Sequence, residues 1–174
     1  MYRPYLNFQQ RKVKAEFIDF IQSMPKETTY AVTLQTHSKH NIWLLKSIDE
    51  KRQYFDKEFL YHWDKKVCRK LIGPRYHKEN KRAQRQSGFA FPEKFDESPH
   101  YHLIIDIKQW NPEEYIEVAT RAWLELVRPE KINDPRQTFV KIIPLYGSDW
   151  EEYSAKDWDM EEPDSWIPIP YVGK

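Results

Sequence analysis

His100 and His102 stand two residues apart in the run Pro99-His-Tyr-His-Leu-Ile-Ile-Asp106. In a β-strand successive side chains alternate between faces, so the two imidazoles share one face while Tyr101, Leu103 and Ile105 share the other and enter a core. Paired neutral imidazoles suit a divalent transition ion, and a hard carboxylate completes a site that must also hold a phosphate oxygen. Glu93, at the end of the preceding apolar run, is the nearest carboxylate if a hairpin closes over residues 94–99; Glu97, inside that turn, is the alternative. A chain with six histidines also places such pairs in cores and on surfaces, so a second feature has to weigh in. Tyr153-Ser-Ala-Lys156 supplies it. On a helix, a spacing of three sets the phenol and the ammonium on neighbouring surface positions. A phenol with a pKa of ~10 is a poor nucleophile at neutral pH. It needs a metal on the phosphate and a nearby positive charge, which Lys156 provides unless that lysine holds DNA instead. The ordinary alternative is a surface tyrosine in an acidic helix.

Charge is distributed unevenly around a net value of only +1. Lys65, Lys66, Arg69, Lys70, Arg75, Lys78, Lys81, Arg82 and Arg85 form a basic stretch interrupted by Glu79 alone. Asp149, Glu151, Glu152, Asp157, Asp159, Glu161, Glu162 and Asp164 form an acidic one broken only by Lys156. The asymmetry points to a nucleic-acid face and a separate acidic face, against a plainer reading of solvated helices and a loop. Within the basic stretch Tyr76 is a candidate aromatic for stacking on an unpaired base.

The elements that must position these residues follow from periodicity. Val13, Phe17 and Ile21 make an amphipathic helix over 10–22 that ends before Pro25. Residues 28–36 alternate as a strand. From about Asp49 to Ile72, the residues Tyr54, Phe55, Phe59, Leu60, Trp63, Val67 and Leu71 step around one helix face until Gly73-Pro74 stops it. Ser87–Glu93 and His100–Ile107 read as a strand pair. Asn111-Pro112-Glu113-Glu114 caps and opens a helix carrying Ile116, Ala119, Trp123 and Val127 on one side. Residues 139–144 give a further strand, 149–158 a short helix, and the prolines after Glu162 an extended tail. The centre of this order predicts an α+β fold, a ferredoxin-like split β-α-β-β-α-β sandwich with an antiparallel sheet and helices packed on one face.

At 174 residues, with 40% hydrophobic and 16% aromatic content, one domain is expected over 1–174, its core spanning about 28–158 between an N-terminal helix in 1–27 and a tail over 159–174. No run approaches the ~18 apolar residues of a membrane span, and the N-terminus lacks a secretory pattern. A single cysteine, Cys68, fits a reducing cytoplasm and a packing role. The fold alone leaves function open, because this architecture serves RNA binders, acyl-phosphatases and nucleases alike.

Tyr30-Ala-Val-Thr-Leu-Gln-Thr36, His100-Tyr-His102 and Tyr153-Ser-Ala-Lys156 occur in the order and rough spacing of three motifs of rolling-circle replication initiators, and over residues 28–158 the chain resembles the HUH endonuclease superfamily. Glu93 falls where several viral members carry their carboxylate ligand. The resemblance implies the nuclease fold of these initiators, with Mn²⁺ or Mg²⁺ on His100, His102 and Glu93. It implies attack by Tyr153 on single-stranded DNA at a replication origin, with Lys156 in support, leaving a 5′-phosphotyrosine and a free 3′-hydroxyl. The basic stretch is then expected to follow the DNA backbone. Conjugative relaxases place the tyrosine before the histidines, and no second tyrosine lies one turn from Tyr153, which favours a single-tyrosine initiator. No GxxxxGK[ST] loop occurs, so either a host helicase and polymerase are the expected partners, in a bacterial or archaeal cell that carries the gene on a plasmid or phage, or the chain is a trimmed nuclease domain. A single-tyrosine transposase shares the same motif order. A non-catalytic DNA-binding repressor on the same fold is the alternative from another class, and a lone cysteine argues against a structural zinc site.

Overall fold

The computed structural model describes residues 15–16, 18–36, 47, 50, 53–54, 56–93, 100–127, 139–145 and 167–170. Five strands, β1 (Thr29–Gln35), β2 (Ser87–Glu93), β3 (His100–Asp106), β4 (Val140–Pro144) and β5 (Ile167–Ile169), form one sheet in the order β4-β1-β3-β2-β5. Every neighbouring pair is antiparallel. Helix α1 (Tyr61–Ile72) connects β1 to β2, and helix α2 (Pro112–Val127) connects β3 to β4. The α+β reading and the β-α-β-β-α-β order therefore hold.

Alternation along the strands sorts the side chains into two faces. Tyr30, Val32 and Leu34 of β1 and Tyr101, Leu103 and Ile105 of β3 pack with Trp63 and Val67 of α1 and Ala119 and Trp123 of α2. Burial of each large aliphatic side chain among them stabilises the fold by about 1.5–3 kcal/mol relative to exposure. Both tryptophans are fully buried, and each finds an acceptor for its indole N–H: Trp63 Nε1 donates to the Ala119 carbonyl at 3.0 Å and Trp123 Nε1 to the Gln35 carbonyl at 2.9 Å. These bonds tie α1 to α2 and α2 to the end of β1, using the one polar handle each ring has.

Helix ends follow the local sequence. The Asn111 Oδ1 accepts from the N–H groups of Glu113 and Glu114 at 2.9 and 3.2 Å, satisfying two donors at the start of α2. Gly73 terminates α1 with φ at +101°, a region that a side chain disfavours. Upstream, Ser47 and Glu50 exchange side-chain and backbone hydrogen bonds as a capping box, two residues ahead of the start expected at Asp49.

Four expectations need correction. The helical stretch before Gly73 is not uniform, because a π turn covers Asp56–Leu60; its wider winding rotates the apolar stripe, burying Phe59 and Leu60 and leaving Tyr54 41% exposed. On α2, Tyr115 rather than Ile116 is the fully buried residue of the first turn, since its hydroxyl finds a partner inside. Helices do not keep to one face: residues 18–22 are helical and pack, through Ile21 and Met24, on Ala31, Phe91, Ile104 and Leu145 of the opposite face. Finally, the tail read as merely extended supplies β5, pairing Ile167 with Ala90 and Ile169 with Gly88. Prolines are tolerated there because an edge strand loses no inner ladder bond.

Candidate functional site

β3 positions the two histidines as alternation requires. His100 and His102 stand on the face opposite α1 and α2, their ring centroids 5.1 Å apart and their planes at 88°. Two imidazoles that share one ion at N–metal distances of ~2.1 Å bring their ring centres to roughly 5 Å, so the observed spacing fits two ligands of one ion. His102 is 6% exposed and its Nδ1 lies 3.2 Å from the Thr33 hydroxyl, its register partner on β1. That contact holds the ring by its Nδ1 side, as an outer partner orients a ligand histidine in metal sites.

The hairpin register brings Glu93 of β2 directly opposite His100, while Phe91 stands opposite His102. The strand pairing that the sequence required for Glu93 is thus present in the backbone; the Glu93 side chain and residues 94–99, Glu97 among them, lie outside the described residues. Among the described residues no group of three His, Cys, Asp or Glu side chains is arranged to hold a metal ion. Tyr153 and Lys156, with the whole acidic run, also lie outside them.

The basic stretch resolves into three kinds of residue. Some are neutralised: Lys66 pairs with Glu125 at 2.6 Å, Arg82 with Glu79 at 3.4 Å, and Arg85 approaches Asp64 at 4.0 Å. Lys65 lies over the Tyr61 ring at 5.8 Å, and Lys81 donates to Gln84 at 3.3 Å. Arg69, Lys70, Arg75 and Lys78 are exposed and form no ion pair among the described residues. Tyr76 is half-buried, with the Arg85 guanidinium 5.9 Å from its ring centre and His77 edge-on at 5.7 Å. The polar, basic connector contains a 3₁₀ helix at Glu79–Gln84.

This stretch is remote from the histidines. It leads into Ser87, which pairs with Asp106 at one end of the sheet, whereas His100 pairs with Glu93 at the other. Six residues of strand separate the two ends by ~20 Å. Moreover, α1 packs on the face that the histidines turn away from.

Sequence reasoning missed a buried polar network behind the connector. Asp64, 3% exposed on the inner side of α1, accepts from Gln86 Nε2 at 2.8 Å, and the Gln86 Oε1 accepts from the Tyr115 hydroxyl at 2.6 Å. The clue was available: Asp64 interrupts the apolar stripe of Leu60, Val67 and Leu71. The same network silences the cysteine. Burial and the neighbouring Asp64 carboxylate push the Cys68 thiol up to about 12, so it stays protonated and unreactive at neutral pH, in line with a packing role. Burial likewise holds the Tyr115 phenol well above its ordinary value.

No helix among the described residues is long and apolar enough to cross a membrane. Compared with protein-family models, curated proteins and solved structures, the chain matches none. The functional reading therefore rests on the residues themselves.

Proposed function

We propose that this protein is a metal-dependent, sequence-specific single-stranded DNA endonuclease and strand transferase of the HUH type, which nicks a replication origin through a 5′-phosphotyrosine intermediate. The observation that carries the reading is the pair of imidazoles 5.1 Å apart at one end of the sheet, with Glu93 in register opposite His100. Strand alternation supports it by turning His100 and His102 away from α1 and α2, onto the face that residues 18–24 cover in part. In this reading Tyr153 is the nucleophile and Lys156 its supporting charge, as the order of the motifs at 30–36, 100–102 and 153–156 implies.

His100, His102 and Glu93 would hold Mn²⁺ or Mg²⁺. Such an ion supplies Lewis-acid polarisation of a phosphate oxygen and stabilises the charge that develops on it. The Tyr153 oxygen attacks phosphorus in line, forming a P–O bond as the bond to the 3′-oxygen breaks. The phenol proton passes to solvent and the departing 3′-oxygen takes one up, so no nucleotide cofactor is consumed. Lys156 favours the phenolate by its charge. The free 3′-hydroxyl then primes synthesis or returns to the phosphotyrosine and rejoins the strand.

Incubation with single-stranded origin oligonucleotides and Mn²⁺ is expected to give a denaturant-resistant protein–DNA adduct that Tyr153→Phe abolishes. An adduct that persists in Tyr153→Phe would overturn the nucleophile assignment. Sequence-specific binding without any adduct would favour the repressor.

A further inference from the structure

We propose that the solvent-facing end of α1 and the connector to β2 form a second nucleic-acid site, which takes the sugar–phosphate backbone of duplex DNA flanking the cut. The link to a cut strand rests on the function proposed above; the preference for a duplex backbone rests on the surface alone.

Four exposed cations remain on this surface once the internal pairs are set aside: Arg69 and Lys70 in the last turn of α1, and Arg75 and Lys78 after Gly73. They are carried on ordered backbone. Tyr76 N–H donates to the Gly73 carbonyl at 3.1 Å, Lys78 N–H to Arg75 at 3.1 Å and Lys81 N–H to Lys78 at 2.9 Å. The far end of the connector is pinned by Trp110 Nε1, which donates to the Gln84 carbonyl at 3.0 Å, and by Gln86 in its buried bond to Asp64. A backbone ordered in advance loses little freedom on binding.

The chemistry of the surface selects the partner. Proteins that hold single strands without sequence preference offer aromatic faces on which bases stack. Here the Tyr61 ring lies under Lys65, and the Tyr76 ring is flanked by Arg85 and His77. What remains is charge aimed at phosphates, and a duplex presents the denser row of them, one per ≈1.7 Å of axis. The connector that carries Arg75 and Lys78 joins β2 at Ser87, six residues of strand or ~20 Å from the Glu93–His100 end, and α1 packs on the other face of the sheet. At ~3.4 Å per base pair, DNA engaged at both places has to extend about six pairs or more beyond the cut.

The test is a titration of the full chain and of the R69Q/K70Q/R75Q/K78Q variant against a labelled random-sequence duplex two helical turns long, over a range of salt and with EDTA present. All four positions are exposed and glutamine removes the charge while staying polar; circular dichroism checks that the fold is retained. The wild-type slope of log affinity against log salt is expected to shrink by about 3.6 in the variant, from ~0.9 per lost phosphate contact. Affinity for an oligothymidine of the same length should fall at least tenfold less than affinity for the duplex. An unchanged slope, no duplex binding by the wild type, or an equal or larger loss on the single strand would each overturn the proposal. No metal or cutting enters the measurement. A slope that shrinks while no adduct forms on any strand keeps this surface and removes the cleavage reading; an adduct with an unchanged slope does the reverse.

Discussion

The two faces of the sheet are made from the same strands, and β3 shows how differently they are used. Its odd-numbered residues, Tyr101, Leu103 and Ile105, are fully buried under α1 and α2. Its even-numbered residues are His100, His102, Ile104 and Asp106, of which only Ile104 belongs to an apolar cluster, the smaller one under residues 18–24. One strand thus carries the interior on one side and every candidate ligand of its own on the other. A two-residue periodicity lets the chain hold imidazoles rigidly without interrupting the core, because the packing that fixes the backbone acts from behind.

Substitutions at adjacent positions break this comparison most sharply. Leu103→Ala should cost about 2–5 kcal/mol of stability, read by urea unfolding, since it opens a cavity between the sheet and both helices. His102→Ala, one residue away, should lower the single-turnover cleavage rate by more than about 100-fold while moving the unfolding midpoint far less than Leu103→Ala does. Equal losses of stability at both positions would erase the division between the faces.

Asp106 marks where the division stops. It lies on the histidine side of β3 but at the far end, accepting from the Thr28 hydroxyl at 2.8 Å and from the Lys108 backbone at 2.8 Å, with the Lys108 ammonium also bound. Burial pushes its carboxyl up, yet the hydrogen bonds from Lys108 and Thr28 outweigh that and leave its pKa below the ordinary carboxylate value. A lowered folded-state pKa stabilises the fold above the unfolded value of ~3.9 and loses that contribution as pH falls through the folded value. Asp106→Asn should therefore cost about 1.5–3 kcal/mol at pH 7, with the wild-type and variant unfolding curves converging well below pH ~4. Its cleavage rate should change little. The smallest expected effect is the sharpest probe of the site: Thr33→Val removes the hydroxyl beside His102 Nδ1 and should weaken Mn²⁺ binding about tenfold, measured calorimetrically.

Much of this architecture was legible because local signals and packing agree. Asn111-Pro112 marked the start of α2, Gly73-Pro74 the end of α1, and the alternation of 100–106 the shared face of the histidines. Misreadings fell where tertiary partners override local pattern. Tyr115 is buried because Gln86, a residue of the preceding connector, receives its hydroxyl, and no periodicity announces that. The π turn at Asp56–Leu60 shifts a stripe that reads as continuous. β5 is three residues long and rich in proline, so only its pairing with β2 reveals it. Summed charge was a poor guide to the basic stretch, because its partners Glu125 and Asp64 come from α2 and from the inner side of α1. For the candidate site, the spacing of His100 and His102 gave the shared face, and the register supplied what spacing cannot: which residue of β2 stands opposite each of them.

β5 carries a consequence for the life of the molecule in a crowded solution. An open sheet invites neighbours to add strands at its rims, the first step of misassembly. At one rim, the Ile167-Pro168-Ile169-Pro170 segment buries both isoleucines and offers few amide hydrogens to a newcomer. At the other, β4 turns Lys141 and Pro144 to solvent, a charge and a missing donor. Among the described residues the sheet thus ends on both sides in residues that discourage pairing with a further strand.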